Sequence, residues 1–290
     1  MKSNNGERMS TFIEKIQDRT KSIQSVLCVG LDTTPKKVPS ILKSEANPQW
    51  VWNKAIIDAT HDLACCYKPN LAFYLIHGAQ GLETLQETIR YAHRYEVPVI
   101  LDAKFGDIGH TAEYYAHSCF TTLEADAVTL NPYMGEDSIA PFRDYENRSS
   151  FILCLTSNVS RIDFQTLSIS TADEDEYPVY QRVAEKIKEW NSHHNLGAVV
   201  GATAPEDLAD IRECLGPTVP ILCPGVGVQG GDLEEVLWAG YSGEGSLLIN
   251  VSRAIANASS GDDFEEASRR EATMFVNQIH AFLEQYEAGL

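Results

Sequence analysis

Eight short apolar runs recur along the chain with longer amphipathic stretches between them, and this alternation constrains the fold more than any other feature. The runs are VLCVGL (26–31), CCYKPNL (65–71), VPVILD (97–102), AVTLN (127–131), FILCLT (151–156), AVVGA (198–202), PILCPG (220–225) and SLLINVS (246–252). Most are apolar on successive positions, as in a strand covered on both faces, and such strands belong to a parallel sheet sheathed in helices. The stretches around Trp52 to Leu63, Gly81 to Tyr95, Thr111 to Leu123, Val179 to Trp190, Pro205 to Leu215 and Asp263 to Tyr286 supply the helices, with apolar residues near i, i+3, i+4 and i+7. Eight βα units in roughly 250 residues are the size of one (β/α)8 TIM barrel. A doubly wound open sheet is the alternative, because strand order is not written in a single sequence. No linker divides the chain, so one barrel domain over 1–290 is expected, with a polar N-terminal extension over about 1–20. The one break in composition, 157–178, reads as a long polar and acidic βα loop.

Charge and cysteine usage narrow the function. Lys and Arg number 23 against 41 Asp and Glu, a formal net charge of −18. That balance opposes nucleic acid and anionic membrane, both normally met with basic excess. If the ligand is an anion, the few cations must be concentrated where it binds. No apolar run is long enough to span a bilayer, and the first 20 residues lack the apolar core of a secretion signal, so a cytoplasmic protein is expected. Five of the seven cysteines (Cys28, Cys65, Cys66, Cys154, Cys223) sit inside apolar runs without CxxC spacing, as small buried side chains in a reducing compartment do.

A parallel barrel builds its site at the carboxyl ends of its strands. The first run delivers Asp32 there, the second Lys68 and Asn70, and the third Asp102, followed by Lys104 and Asp107. Strand alternation would turn Asp102 and Lys104 to the same side, where opposite charges hold one another ionised. A solvated salt-bridge cluster could also stand at a strand end, but solubility does not explain lysines within apolar runs. After the seventh and eighth runs come PGVGVQGGD (224–232) and INVSRAI (249–255), the place where such barrels bind phosphate, with Arg253 where a bidentate clamp would be needed; a glycine-rich turn with a surface Arg is the alternative. Gly225, Gly227 and Gly230 formally match G-x-G-x-x-G, but a dinucleotide fingerprint opens the first βαβ unit and this one lies in the penultimate unit. His193 and His194 have no acidic partner at zinc-site spacing, and neither a nucleophile elbow nor a P-loop occurs.

The stretch VILDAKFGDIGHTA (99–112) resembles the D-x-K-x-x-D-I-x-x-T signature of the orotidine 5′-phosphate decarboxylase family. The likeness continues, in order, through CVGLDTTP, YKPNLAFY, VTLNPYMGEDSIAPF, LTSN, VVGATAPEDL, PGVGVQGG and NVSRAI, as in the longer bacterial and archaeal branch. Phe105 stands where that branch most often has Arg, and Val228 where it usually has Ala. The resemblance implies conversion of orotidine 5′-monophosphate to UMP and CO2 without metal or organic cofactor. It implies an alternating network of Lys68, Asp102, Lys104 and Asp107, with Lys104 as proton donor. It further implies a homodimer in which Asp107 and Thr111 reach the neighbouring site. Asp32 and Lys68 would meet the ribose hydroxyls, Ser157 the pyrimidine amide, and Gln229 and Arg253 the phosphate, with Gly230 beside them. Two rivals remain: a metal-dependent sugar-phosphate decarboxylase or aldolase of the same barrel group, and a silent nucleotide-binding barrel. The first would place an acidic metal ligand where this chain has Lys68; the second leaves the intact ionisable positions without a purpose.

Overall fold

The computed structural model describes residues 10–170, 176–227 and 230–289 and puts a strand in each of the eight apolar runs. These are β1 (Leu27–Gly30), β2 (Cys66–Lys68), β3 (Ile100–Phe105), β4 (Ala127–Leu130), β5 (Ser149–Leu155), β6 (Leu196–Val200), β7 (Ile221–Pro224) and β8 (Leu247–Val251). Sequence neighbours pair in parallel from β1 to β2 and from β3 through β8, and β8 returns to β1 with Leu27 opposite Ile249. The ring is completed between β2 and β3, where the isolated bridges Tyr67 to Val99 and Asn70 to Asp102 take the place of a continuous ladder. The open doubly wound sheet is thereby excluded, and eight parallel strands form a nearly closed barrel.

Helices Pro48–Thr60, Gly78–His93, Gly109–His117, Val179–Trp190, Pro205–Leu215, Leu233–Gly240 and Phe264–Gly289 wrap the outside. Leu233–Gly240 carries no mark in the sequence reading, although Asp232 caps it by accepting the Glu235 N–H at 3.1 Å. The break at 157–178 is more structured than a loop. It holds a short 3-10 turn (Val159–Asp163) and two antiparallel strands, Ser168–Ser170 and Glu176–Pro178, while 171–175 lie outside the described residues. No described helix is long and apolar enough to cross a membrane.

The segment expected as a polar extension becomes, from Phe12 to Ile23, a helix that closes the barrel floor. Thr11 and Glu14 form a reciprocal capping box, Glu14 N–H donating to Thr11 Oγ1 at 3.2 Å and Thr11 N–H to Glu14 Oε2 at 2.8 Å. Phe12 and Ile16 enter the inner core with Cys28, Cys66, Ile100, Phe151, Leu222 and Leu248. The Phe12 ring meets Phe151 edge to face, centroids 5.9 Å apart. A second, larger core lies between strands and outer helices. Lys15 fixes the far side of the helix, its Nζ 2.8 Å from Asp126. Burial raises the Asp126 pKa, but His93 and Lys15 outweigh it and hold the carboxyl down at about 2. Phe12 is fully buried, so Phe12→Ala should destabilise the fold by about 3–5 kcal/mol, read as a lower urea midpoint with the secondary structure retained.

Candidate active site

At the carboxyl ends of the strands opens a cavity of about 470 Å³, walled by Asp32, Lys68, Asn70 and Asp102 on one side and by Gly225, Val226 and Arg253 on the other. The Asp102 carboxylate organises the first wall. Its Oδ2 accepts Lys68 Nζ at 3.0 Å and Asn70 Nδ2 at 3.1 Å; its Oδ1 accepts Thr129 Oγ1 at 2.9 Å and a short hydrogen bond from Lys104 Nζ. Asp102 is 8% exposed and Lys68 4%. Burial alone would raise the Asp102 pKa, but the Lys68 and Lys104 ammonium groups overcome it and hold the carboxyl well below its ordinary 3.8. For Lys68, burial pulls the pKa down and the Asp32 and Asp102 carboxylates overturn it, so the ammonium is held above its ordinary 10.5. The wall is therefore a fixed alternation of ionised charges.

Lys104 and Asp102 do meet, but not by the strand alternation expected. The β3 to β4 register shifts between Leu101 and Phe105, and Lys104 has φ 53°. The Ala103 and Lys104 N–H groups both donate to Thr129 Oγ1 at 3.0 Å instead of to a neighbouring carbonyl. The bulge re-aims Lys104, and a non-glycine residue in the left-handed region is a strain that recurs at functional sites. Thr129 thus anchors both bulge and carboxylate, a role hidden from sequence reading because AVTL looks like ordinary strand.

Asp32 lines the same cavity, and its Oδ1 is buried without a partner. The opposite wall rests on backbone that only glycine tolerates: Gly225 has φ 106°, and a Cβ on Gly30 would stand 1.8 Å from Ser252 Oγ. Arg253 opens the short helix Arg253–Ala256 and has no ion-pair partner among the described residues. Lys37 and Asn257, not singled out from sequence, line this end too, and the Asn257 Oδ1 is buried and unpartnered. Three cations of a strongly acidic chain thus face one cavity.

The remaining expected site residues stand apart. Asp107 accepts its neighbour Ile108 N–H at 2.8 Å, and neither it nor the exposed Thr111 lines the cavity. Ser157 follows β5, its backbone packed so closely on Gly201 that a Cβ there would lie 2.7 Å from Ser157 N. Gly230 has φ 90° in the glycine loop after β7, and Gln229 and Val228 lie outside the described residues. Among the described residues, no cluster of His, Cys, Asp and Glu is placed to hold a metal ion.

A model of the orotidine 5′-phosphate decarboxylase / HUMPS family matches residues 25–269. The chain belongs to that family. It is 48% identical over 277 residues to an orotidine 5′-phosphate decarboxylase of Cellvibrio japonicus, covering 93% of this chain and 98% of the relative. Among solved structures, Leishmania donovani OMP decarboxylase superposes with a TM-score of 0.79 at 39% identity, over 94% of this chain and 98% of that one. Leishmania donovani UMP synthase matches with a TM-score of 0.82 and 39% identity, and there the chain spans only 57% of the longer protein. Phe105 stacks on Tyr115 with centroids 4.3 Å apart and planes at 18°, so an aromatic pair stands where the resemblance would put Arg.

Because the Asp102 pKa is lowered in the folded state, its contribution to stability is present above the unfolded value near 3.8 and fades as pH falls through the folded one. Asp102→Asn, which leaves two lysines without their carboxylate, should cost about 3–5 kcal/mol at neutral pH. The gap to the parent should narrow at pH 3, as urea unfolding at the two pH values would read. A gap that widened at pH 3 would contradict the assigned ionisation.

Proposed function

We propose that the chain is a metal-free orotidine 5′-monophosphate decarboxylase, forming UMP and CO2. The observation that carries this is the buried Lys68–Asp102 pair, joined by the more exposed Lys104 and standing beside Asp32, whose Oδ1 has no hydrogen-bond partner, in a cavity whose other wall carries Arg253. Breaking the bond from C6 to the carboxylate releases CO2 and leaves the electron pair in the ring plane, where no adjacent carbonyl can delocalise it as an enolate. The site itself must stabilise that charge. The Lys104 ammonium, held by Asp102, does so electrostatically and then transfers its proton to C6 to give UMP; water reprotonates the amine. Asp102 stands near the departing carboxylate, where its fixed charge orients Lys104.

Asp32 and Lys68 bind the ribose hydroxyls, Ser157 the pyrimidine amide, and Gln229, Gly230 and Arg253 the phosphate. Binding energy from the remote phosphate supports orientation that is realised only in the transition state. A metal-dependent relative would need a cation where this chain has two ammonium groups. The active unit is a homodimer, each site completed by Asp107 and Thr111 of the other copy. Exposed apolar side chains beside them, Ile108 at 46% and Tyr114 at 74%, support a docking face. All seven cysteines are free, which supports a reducing cytoplasmic setting for pyrimidine synthesis.

Orotidine 5′-monophosphate mixed with the purified protein should lose its ultraviolet signature as UMP forms, at the same rate with EDTA present. Lys104→Ala should lower kcat by at least about a thousandfold, several kcal/mol of barrier, while still binding UMP. Appreciable turnover by that variant would remove Lys104 as proton donor, and chelator sensitivity would revive the metal-dependent rival.

Site sharing has its own test. Lys104→Ala and Asp107→Ala protomers, each inactive alone, should regain part of the parental activity after mixing, because a mixed dimer holds one site with both residues intact. Absence of recovery in dimers shown to have exchanged would confine the site to one chain.

A further inference from the structure

Asp32 reaches the cavity on a loop just beyond the end of β1, where strand pairing has run out at Gly30 opposite Lys68. The residues on either side of it are nevertheless tied down. Tyr74 Oη donates to the Leu31 carbonyl at 3.1 Å, Thr33 Oγ1 donates to Asn53 Oδ1 at 2.8 Å, and Gln49 Nε2 donates to the Thr33 carbonyl at 3.2 Å. The same Gln49 amide donates to the Phe73 carbonyl at 3.1 Å, in the segment that follows Lys68 and Asn70. Asn53 Nδ2 donates to Tyr74 Oη at 3.0 Å and to Thr88 Oγ1 at 3.1 Å, so the loop is fastened to the helix Gly78–His93 as well.

All five side chains of this network are buried, and none lines the cavity. Gln49 and Asn53 stand four residues apart on one face of the helix Pro48–Thr60. A buried amide costs about 1–3 kcal/mol for each group left unpaired, so a helix whose only task was packing would be served better by hydrocarbon. These two amides instead bridge the strand-end segments that carry Asp32 and Lys68.

We propose that Gln49 and Asn53 are positioning residues for the substrate's ribose, acting through Asp32 by holding its loop at a set distance from the end of β2. The inference rests on the reading of Asp32 as a ribose partner. A double-mutant cycle tests it, with Gln49→Met, which keeps length and apolar volume but removes both donors, and Asp32→Asn. Gln49→Met should lower kcat/KM on the order of tenfold in the parent but less than about twofold in the Asp32→Asn background. UMP affinity should follow the same pattern, and the thermal midpoint should shift equally in both backgrounds. Equal losses of kcat/KM in the two backgrounds would overturn the proposal and leave Gln49 a structural residue. If Gln49→Met does not fold, Thr33→Val, which deletes only the bond to Asn53, takes its place in the same cycle. Should Asp32→Asn itself retain parental kcat/KM and UMP affinity, the ribose reading of Asp32 fails, and this inference with it.

Discussion

One carboxylate ties the barrel's weakest joint to its chemistry. Strands β2 and β3 are joined by isolated bridges, and one of those bridges pairs Asn70 with Asp102. The Asp102 side chain spans the same seam, accepting Lys68 and Asn70 from the β2 side, Lys104 from β3 and Thr129 from β4. Desolvating buried ions costs about several kcal/mol each, and only this density of charge-assisted bonds offsets it. The ionic wall of the cavity and the closure of the ring are therefore one arrangement, and a change to Asp102 acts on both.

The acidic balance of the whole chain makes the cavity more selective. With a formal charge of −18, the surface as a whole repels anions. Lys37, Lys68 and Arg253 gather around one opening, and the two carboxylates there, Asp32 and Asp102, neutralise only part of that positive charge. An anion is favoured there and disfavoured elsewhere, which concentrates binding at the end of the cavity away from Asp102. Gly225, with φ 106°, and Val226 line that end beside Arg253.

How much of this was legible varies with the physical signal each residue leaves. Lys68 and Asp102 stand out because a charge inside an apolar run has no bland explanation, and the structure brings them together. Lys104 is legible as a partner of Asp102, but its route is not, since the bulge at φ 53° depends on Thr129, on the neighbouring strand and 25 residues further along the sequence. Thr129 itself is masked by its β propensity. The floor helix is missed because Phe12, Ile13 and Ile16 are sparse among polar residues; the Thr11 and Glu14 capping pair was the available mark. Gln49 precedes the stretch read as helical and Asn53 looks like its polar face, although both are buried. The reach of Asp107 and Thr111 into a neighbouring site rests on family resemblance alone, because within one chain they stand outside the cavity.

The helix Phe12–Ile23 makes the barrel a cup and not a pipe. With Phe12, Phe151 and Leu248 filling the floor, nothing passes through the ring, and arrival and departure share one mouth. A seated ligand is then its own stopper, barring a competitor and bulk water alike from Asp102 while it stays. Whatever enters the cavity lined by Arg253 and Lys37 must leave by the path it came.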